Sequence, residues 1–405
     1  MDFNLTEEHL MIRDAARDFA QTELLPGVIE RDNKQEFPNE LVKKMGDLGF
    51  LGIMVDPKYG GSGMDTLSYV LIMEELSKVD ASASVIVSVN NSLVCYGLEH
   101  YGSEEQKQKY LTKLVTGEFI GAFCLSEPEA GSDATSQRTT AIDKGDYYLV
   151  NGTKNWITHG LSGDVAVVLI RTGDLLDSNG ITAFIIEKGT PGFSAVKIKE
   201  KLGVRASETA ELIFDNVRIP EENVIGDVGA GFKQAMQILD GGRISIASLS
   251  CGIARGAYEA SVKYAKEREQ FGKPISQFQA IAFKLADMAT KIELGRNLLY
   301  KACWLKDTKK PILSSIYVYP LNEATTVNQS KRPLLLNLML QKDGTYLSDK
   351  VITNGKIGFG INTSDYDDVS YNKNGVYKVQ AYYNGLANFG YQFDTYSFDE
   401  MRYVN

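Results

Sequence analysis

The sequence predicts an α+β multidomain protein: a helical domain, a β domain and a second helical domain, followed by an all-β, sandwich-like module. Three observations lead to this prediction. Helical periodicity dominates residues 1–118 and returns over 229–306, with strand-like runs over 119–228. The composition then changes, because 11 of the 21 tyrosines lie in residues 307–405. We therefore expect four domains with these boundaries.

The first domain is predicted to contain amphipathic helices with recognisable end signals. Thr6 precedes a helix that ends before Pro26, and Pro38 opens the next one. Ser103 with Gln106 forms a capping box at the start of a further helix. The predicted helices of this domain are 6–24, a helix from 38, 67–78, 81–100 and 103–115.

The middle of the chain changes to strand periodicity. A hairpin turn at 143–146 lies between the predicted strands 139–142 and 147–150. Further strands are predicted at 165–170, 181–186 and 210–214. Helical periodicity resumes at 230–264 and 277–305, which completes the order of a helical domain, a β domain and a second helical domain.

The boundary near residue 307 is marked by charge as well as by tyrosine content. Residues 1–306 carry 33 Lys+Arg and 42 Asp+Glu, whereas residues 307–405 carry 10 of each. Pro311 lies just beyond the boundary, where a helix cannot continue. Residues 316–319 alternate in the way that is typical of a strand, and residues 334–340 form a mainly apolar run. Both patterns predict strands of a sandwich.

Composition argues against several classes of function. A net charge of -9 argues against a nucleic-acid partner. The amino terminus lacks the features of a signal peptide, and no run approaches the ~20 apolar residues of a membrane span. The four cysteines lack CxxC spacing and the three histidines lack metal-ligand spacing. We expect a reduced, cytoplasmic protein with no metal site and no membrane span.

The ends of two predicted strands carry the candidate ligand-binding residues. The run CLSEPEAGSDA stops at Ser126 and bends at a Pro and a Gly, and the run GTKNWIT ends with Trp156 and Thr158. An indole face with neighbouring hydroxyls suits a flat ring that has polar edges. Taken singly, Trp156 is an ordinary packed aromatic and Ser126 an ordinary turn cap. Their joint occurrence between helical blocks favours a ligand site.

These two motifs resemble the flavin-binding core of acyl-CoA dehydrogenases, and the resemblance covers residues 1–306. It implies an acyl-CoA dehydrogenase-like fold with a middle β-barrel, and FAD as the cofactor. In the family pattern Ser126 bonds the polar edge of the isoalloxazine, Trp156 stacks beside it and Thr158 reaches its hydride-accepting nitrogen. The other positions implied by these motifs are Phe123 and Leu125 for the flavin and Ser132 for the CoA part of the substrate.

Two later segments extend the resemblance. REQFGKPISQFQ resembles the family segment that reaches a neighbouring subunit's flavin, with Arg268 at the pyrophosphate and Phe271 and Gln279 beside the adenosine. This implies a homo-oligomer, a tetramer by family. LDGGR implies Asp240 and Arg243 as substrate-binding residues, although a capped, glycine-bent helix entry without a ligand remains an alternative.

The catalytic base of the family is missing from the expected places. Some branches carry the glutamate next to this arginine, where Gly241 and Gly242 stand here. Other branches carry it in a Tyr-x-x-x-Glu-Gly-Thr segment, yet no Glu occurs between Glu323 and Glu400. The Gly-Gly-x-Gly helix pair that completes the flavin cleft is also missing, so the second helical domain is predicted to be incomplete. We assign no catalytic base.

Two other carboxylates are the nearest candidates for a base. They are Glu99 and Glu127, and we expect neither to act. Glu127 lies in a Ser-Glu-Pro turn, where hydrogen bonding to backbone groups is the expected role.

The tail 307–405 resembles the β-domain that follows the peptidase domain in lysostaphin-type zinc metallopeptidases. The segments that carry this resemblance include KIGFGINTSDYDD and FDTYSFDEMRYVN. The place of the peptidase histidines is taken by dehydrogenase-like sequence, so no peptidase activity is implied. Two origins for the tail remain open, a genuine fusion and an artefact.

Together these features predict a flavin-dependent acyl-CoA dehydrogenase that desaturates short- or medium-chain acyl-CoA and passes electrons to an electron-transfer flavoprotein. We expect weak FAD binding or none, because the helix pair that completes the flavin cleft is missing, and slow turnover, because the glutamate segment is missing. Two alternatives remain open. One is a catalytically inactive composite with a β-type interaction module, and the other is an acyl-CoA oxidase.

Overall fold

A computed structural model describes residues 4–174 and 177–308 and, beyond them, only short segments. The chain divides into two compact units, Met1–Asp307 and Thr308–Asn405. The described segments of the second unit are 312–320, 324, 326–336, 338–340, 346–348, 352–354, 357–366, 373–374, 378–383 and 386–392.

The first unit begins with a layer of helices. Its α-helices are α1 Glu7–Phe19, α2 Val28–Lys34, α3 Asn39–Asp47, α4 Thr66–Ser77, α5 Ala81–Ser88, α6 Tyr96–Tyr101, α7 Glu104–Gln106 and α8 Thr112–Thr116. Wider, π-type turns continue three of them over Ala20–Leu24, Val89–Cys95 and Lys107–Leu111. Helix α2 is the helix of this layer that the sequence did not predict, since no apolar periodicity marks its seven residues.

Side-chain caps start these helices where the sequence predicts them. The Thr6 hydroxyl accepts the His9 amide, and Ser103 forms the predicted reciprocal capping box with Gln106. The Asp65 and Asp80 carboxylates accept amide groups in the first turns of α4 and α5. Each cap satisfies donors that a helix start would otherwise leave without a partner.

The sequence predicts no membrane-spanning segment, but one helical stretch of the structure meets the criteria of length and apolar composition for such a segment. Within the described residues, Ala81–Tyr101 is long and apolar enough to cross a membrane by length and composition alone. Within the fold, 78% of its most apolar window is buried. Packing inside the helical layer accounts for that apolar character.

The β domain is an eight-stranded sheet in the order β6-β7-β3-β2-β4-β5-β8, with β1 beside β4. Among the described strands no pairing joins β6 to β8, so the sheet is open at these ends where a barrel was predicted. Its strands are β1 Gly121–Cys124, β2 Thr140–Asp143, β3 Tyr147–Thr158, β4 Val165–Arg171, β5 Ile181–Glu187, β6 Phe193–Lys197, β7 Thr209–Pro220 and β8 Val224–Ile225.

Strand β4 is buried on both faces, and this places the two main cores. Val165, Val167 and Leu169 pack toward the helices, while Val168 and Ile170 lie in the core formed by the other face of the sheet. Parallel pairing with β1 aligns Phe123 with Val167 and brings the end of β1 beside the buried centre of the sheet.

Two long helices complete the first unit: α9 Gly231–Glu267 and α10 Gln279–Thr308. A short hairpin of β9 Glu269–Gln270 and β10 Lys273–Pro274 joins them. The α10 surface carries apolar side chains that remain exposed in the first unit, namely Phe283, Leu294 and Leu298.

Buried ion pairs tie the long helices to the amino-terminal layer. Glu74 of α4 pairs with Arg255 of α9 at 2.8 Å and with Arg296 of α10 at 2.7 Å. Neighbouring Glu75 pairs with Arg17 of α1 at 3.0 Å and Arg255 at 3.2 Å. Both carboxylates are almost fully buried, so they depend on these guanidinium partners for stability.

The last turn of α10 also belongs to this packing. The Asp307 carboxylate accepts the Thr66 amide at 2.9 Å and the Thr66 hydroxyl at 2.6 Å. It thereby places a negative charge at the amino-terminal end of α4, where the helix dipole favours an anion. Residue 307 is therefore bonded into the first unit.

The described part of the second unit consists of short antiparallel strands. Strands occur at both predicted stretches, 316–319 and 334–340, while sandwich packing stays a prediction. The segment FDTYSFDEMRYVN lies outside the described residues. The strands are β11 Ile312–Pro320, β12 Thr326–Val327, β13 Leu334–Leu336, β14 Leu338–Leu340, β15 Tyr346–Ser348, β16 Thr353–Asn354, β17 Ile357–Tyr366, β18 Lys373–Asn374, β19 Lys378–Tyr383 and β20 Leu386–Gln392.

We predict that Asp307→Ala destabilises the first unit by about 1 kcal/mol, because two donors at the start of α4 lose their acceptor. Thermal unfolding of the full chain measures the shift. Asp287→Ala is the control, since Asp287 pairs with exposed Lys291 one helical turn away at 2.7 Å. Equal shifts for the two variants would contradict the capping role.

Candidate functional site

The first half of the site is the turn that follows β1. Glu127 and Ala130 exchange two backbone hydrogen bonds of 3.0 and 3.2 Å, which closes the turn around Pro128. Ser126 precedes the turn, and its carbonyl accepts the Asn155 amide at 2.8 Å. This bond brings the two motifs of the sequence side by side.

The second half is an irregularity near the end of β3. Pairing with β7 shifts register between Lys154 and Ile157, which leaves Asn155 and Trp156 outside the regular ladder. Trp156 adopts a left-handed backbone with φ +63°, unusual for a bulky residue, and its amide donates to Asn155 Oδ1 at 2.9 Å. Trp156 is 64% exposed. The bulge thus presents an exposed indole one residue after Asn155, whose amide bonds the Ser126 carbonyl.

A buried ammonium joins the two halves. Lys154 Nζ donates to the Leu125 carbonyl at 3.1 Å, to Glu127 Oε1 at 2.7 Å and to Gln137 Oε1 at 2.8 Å. The Lys154 side chain is fully buried and that of Glu127 is 5% exposed. All three hydrogen atoms of the ammonium therefore have acceptors, as a buried charge requires.

Glu127 also holds the chain that follows the turn. Its carboxylate accepts the Arg138 amide at 2.5 Å and the Thr139 amide at 3.2 Å. Burial alone would raise the pKa of Glu127, but the Lys154 charge and these hydrogen bonds lower it overall. A carboxylate engaged in this way is not a free general base.

The other candidate base is engaged as well. Glu99 accepts the Asp56 amide at 2.8 Å. Both carboxylates that the sequence raised as candidates thus bond to backbone amides, which fits the expectation that neither acts as a base.

His159 fixes the far end of the second motif. Its Nδ1 donates to the Gly121 carbonyl at 2.9 Å, and its ring meets Phe37 edge-on. This bond links the residue after Thr158 directly to β1. Burial lowers the pKa of His159 to about 4, so the ring is neutral at pH 7. Sequence did not select His159 or Lys154, although both lie in or next to GTKNWIT.

The remaining predicted flavin residues of the β domain lie close to these groups. Thr158 is half-buried and pairs with Thr209 of β7. Phe123 and Leu125 are half-buried, and their side chains pack against the core beneath the helices. They support the strand end that carries Ser126.

The hairpin between α9 and α10 carries the second group of predicted residues. Phe271 occupies its tip with φ +53° and is 92% exposed, with Phe278 edge-on at 6.1 Å. Arg268 and Gln279 are exposed at the adjoining helix ends. Among the described residues no hydrogen bond, ion pair or ring contact joins this hairpin to Ser126 or Trp156. Within one chain the two groups therefore make no direct contact of these kinds.

The predicted substrate residues lie at exposed positions. Asp240 and Arg243 form an ion pair of 2.5 Å on the surface of α9. The alternative of a glycine-bent helix entry is wrong, because the helix runs without a break from Gly231 to Glu267. A Cβ at buried Gly242 would lie 3.1 Å from Leu93, so glycine permits close packing there. Ser132 is exposed in the loop after the β1 turn.

Family models match three successive parts of the chain. They are described as the N-terminal, middle and C-terminal domains of acyl-CoA dehydrogenase, and they match residues 6–118, 122–217 and 229–321. The chain belongs to the acyl-CoA dehydrogenase family. The third match extends past the boundary predicted at 307. Membership makes the chain an FAD oxidoreductase by family.

Individual relatives agree with this assignment. A short-chain specific acyl-CoA dehydrogenase of Clostridium acetobutylicum is 48% identical over 311 residues, covering 77% of this chain and 82% of the relative. The mitochondrial short-chain enzyme of Mus musculus is 47% identical over 307 residues, covering 76% of this chain and 74% of the relative.

Solved structures show the same relationship. Butyryl-CoA dehydrogenase from Megasphaera elsdenii has a TM-score of 0.75 and 46% identity, covering 77% of this chain and 82% of that one. A chain from a study of the electron transferring flavoprotein of Acidaminococcus fermentans has a TM-score of 0.75 and 52% identity, with the same coverage.

We predict that His159 makes the stability of the acyl-CoA dehydrogenase unit sensitive to acid. In the unfolded chain His159 binds a proton below its ordinary pKa of 6.5. In the folded protein its pKa is about 4, so the ring stays neutral until the pH is much lower. Stability is therefore lost as pH falls through this window, by up to about 1.4 kcal/mol per pH unit. His159→Asn, which keeps a donor near the Nδ1 position, should flatten this slope in urea unfolding. The exposed His100→Asn control should not, and equal slopes would contradict the assignment.

Proposed function

We propose that the protein is a flavin-dependent acyl-CoA dehydrogenase by descent, which binds FAD weakly on a surface formed by its strand ends and lacks the usual catalytic glutamate. The observation that carries the proposal is the adjacency of the two motifs. The Asn155 amide bonds the Ser126 carbonyl at 2.8 Å while the bulge holds the Trp156 indole outward. A flat cofactor can stack on that indole beside hydroxyl groups.

The residues present fit FAD. Ser126 and Thr158 supply hydroxyl groups near the ring edge, and Trp156 supplies the stacking face. FAD, when bound, accepts a hydride from the β-carbon of the acyl chain. Lys154 and His159 are buried and do not reach the flavin surface. Their hydrogen bonds hold the two strand ends in place.

The exposed hairpin supports a homo-oligomer. An almost fully exposed phenylalanine at a hairpin tip is unfavourable in water and fits a contact with another copy. In that assembly Arg268 would meet the pyrophosphate of the partner's FAD, with Phe271 and Gln279 beside the adenosine. Family pattern favours a tetramer.

The proposed substrate is a short- or medium-chain acyl-CoA, in line with the names of the short-chain relatives. Asp240, Arg243 and Ser132 lie exposed and would bind its CoA part. One of the similar structures comes from work on an electron transferring flavoprotein, which supports such a protein as the electron acceptor. We further propose a cytoplasmic location.

Loss of the base is the second part of the proposal. No Glu occurs between Glu323 and Glu400, and Glu99 and Glu127 both accept backbone amides. The tail 307–405 is proposed to be a β-module related to that of lysostaphin-type metallopeptidases, without their peptidase site. It occupies the stretch of sequence where the base segment was expected.

We predict that the purified chain, supplied with FAD under anaerobic conditions, shows a protein-bound flavin spectrum that butyryl-CoA does not bleach. Without a base the α-proton stays in place, so no hydride leaves the β-carbon. Dithionite is the control for a reducible flavin. Visible absorbance before and after addition of butyryl-CoA makes the measurement.

Two outcomes would contradict the proposal, and a third would favour another enzyme class. Rapid bleaching by butyryl-CoA would show that another group acts as base. Complete lack of bound flavin would show that the strand ends do not form a cofactor site, and would favour a non-catalytic composite. Peroxide formation in air after bleaching would favour an acyl-CoA oxidase.

A further inference from the structure

We propose that the buried Lys154–Glu127 pair is a positioning device: it holds the strand end carrying Ser126 against the bulge carrying Trp156 and thereby sets the affinity for FAD. This inference rests on the proposed function. It assigns Lys154 and Glu127 as positioning residues, since neither side chain reaches the surface.

The placement of the ammonium is the first reason. Lys154 is the last residue in regular register before the bulge, one residue from Asn155 and two from Trp156. Its acceptors at Leu125 and Glu127 flank Ser126 on both sides. A change in the position of Nζ therefore moves both strand ends relative to each other.

The turn that follows is held by the same group. Lys154 Nζ bonds Gln137 Oε1, and the Glu127 carboxylate bonds the amides of Arg138 and Thr139. Three separate stretches of the chain thus converge on one ion pair. At the surface, the Asn155–Ser126 backbone bond of 2.8 Å joins the two motifs directly.

The strained bulge is the second reason. Trp156 at φ +63° occupies a conformation that an L-residue adopts only when its surroundings impose it. The indole is mostly exposed, so the ring itself contributes little to that constraint. The buried contacts of the neighbouring Lys154 and Ile157 must hold the bulge in place.

The test compares Lys154→Met with a matched control elsewhere. Arg255→Met also removes a cation from buried carboxylates, those of Glu74 and Glu75, but in the helical layer. Both full-length variants are examined by thermal unfolding, by FAD titration with flavin fluorescence, and by amide hydrogen exchange without flavin.

We expect both variants to unfold at lower temperature, but only Lys154→Met to weaken FAD binding, by tenfold or more. Hydrogen exchange at the Asn155 and Thr139 amides should accelerate in Lys154→Met and not in Arg255→Met. A double variant, Lys154→Met with Glu127→Gln, removes the unpaired charge. It should recover stability while FAD binding stays weak.

Each result decides between the claims. Equal FAD affinity in the wild-type chain and Lys154→Met overturns the positioning role and leaves the proposed function standing. A wild-type chain that binds no FAD overturns the proposed function and the FAD part of this proposal. Exchange rates at Asn155 that do not respond to Lys154→Met overturn the claim that the pair holds the strand ends.

Discussion

A single ammonium group, Lys154 Nζ, is the point on which the functional half of this fold depends. It lies wholly inside the protein with three acceptors, one of them a carboxylate that is itself buried. Removing one partner of such a pair typically costs about 3–5 kcal/mol, because the other charge stays buried alone. Because of that cost, Lys154 and Glu127 are expected to stay paired whenever this part of the protein is folded. The turn after β1 and the bulge in β3 are consequently held in one fixed relation, which is what a stacking surface for a flat ring requires.

The helical part of the first unit relies on the same physical principle. Glu74 and Glu75 hold three guanidinium groups from helices that are far apart in sequence. Asp307 then bonds the start of α4 from the last turn of α10. Because these contacts span the unit from Arg17 to Asp307, the acyl-CoA dehydrogenase part is tied together by its own side chains. The exposed apolar residues of α10 and of the hairpin are the surfaces that the proposed homo-oligomer would bury.

Local patterns in the sequence accounted for much of this. Caps at Thr6 and Ser103, the hairpin at 143–146 and the long helices follow from residue type and periodicity over a few positions. The two motifs also predict that Ser126, Trp156 and Thr158 lie together, and the Asn155–Ser126 hydrogen bond joins the segments that carry them. The features that the sequence did not predict depend on contacts between distant residues or on elements too short to show a pattern. The partner of Lys154 lies 27 residues away, the left-handed backbone of Trp156 depends on pairing with β7, and α2 is too short for a periodic signal. The open ends of the sheet, where the sequence predicted a barrel, likewise depend on packing between distant segments.

The central claim is that the two strand ends form one surface that receives the flavin, and the chain offers a direct probe of it. Of its two tryptophans, only Trp156 lies at this surface. In a Trp304→Phe variant the indole emission therefore reports on Trp156 alone. We predict saturable quenching of that emission by FAD, with the same dissociation constant that flavin fluorescence gives, because the isoalloxazine stacks beside the indole. Binding of FAD with unchanged Trp156 emission would contradict the account.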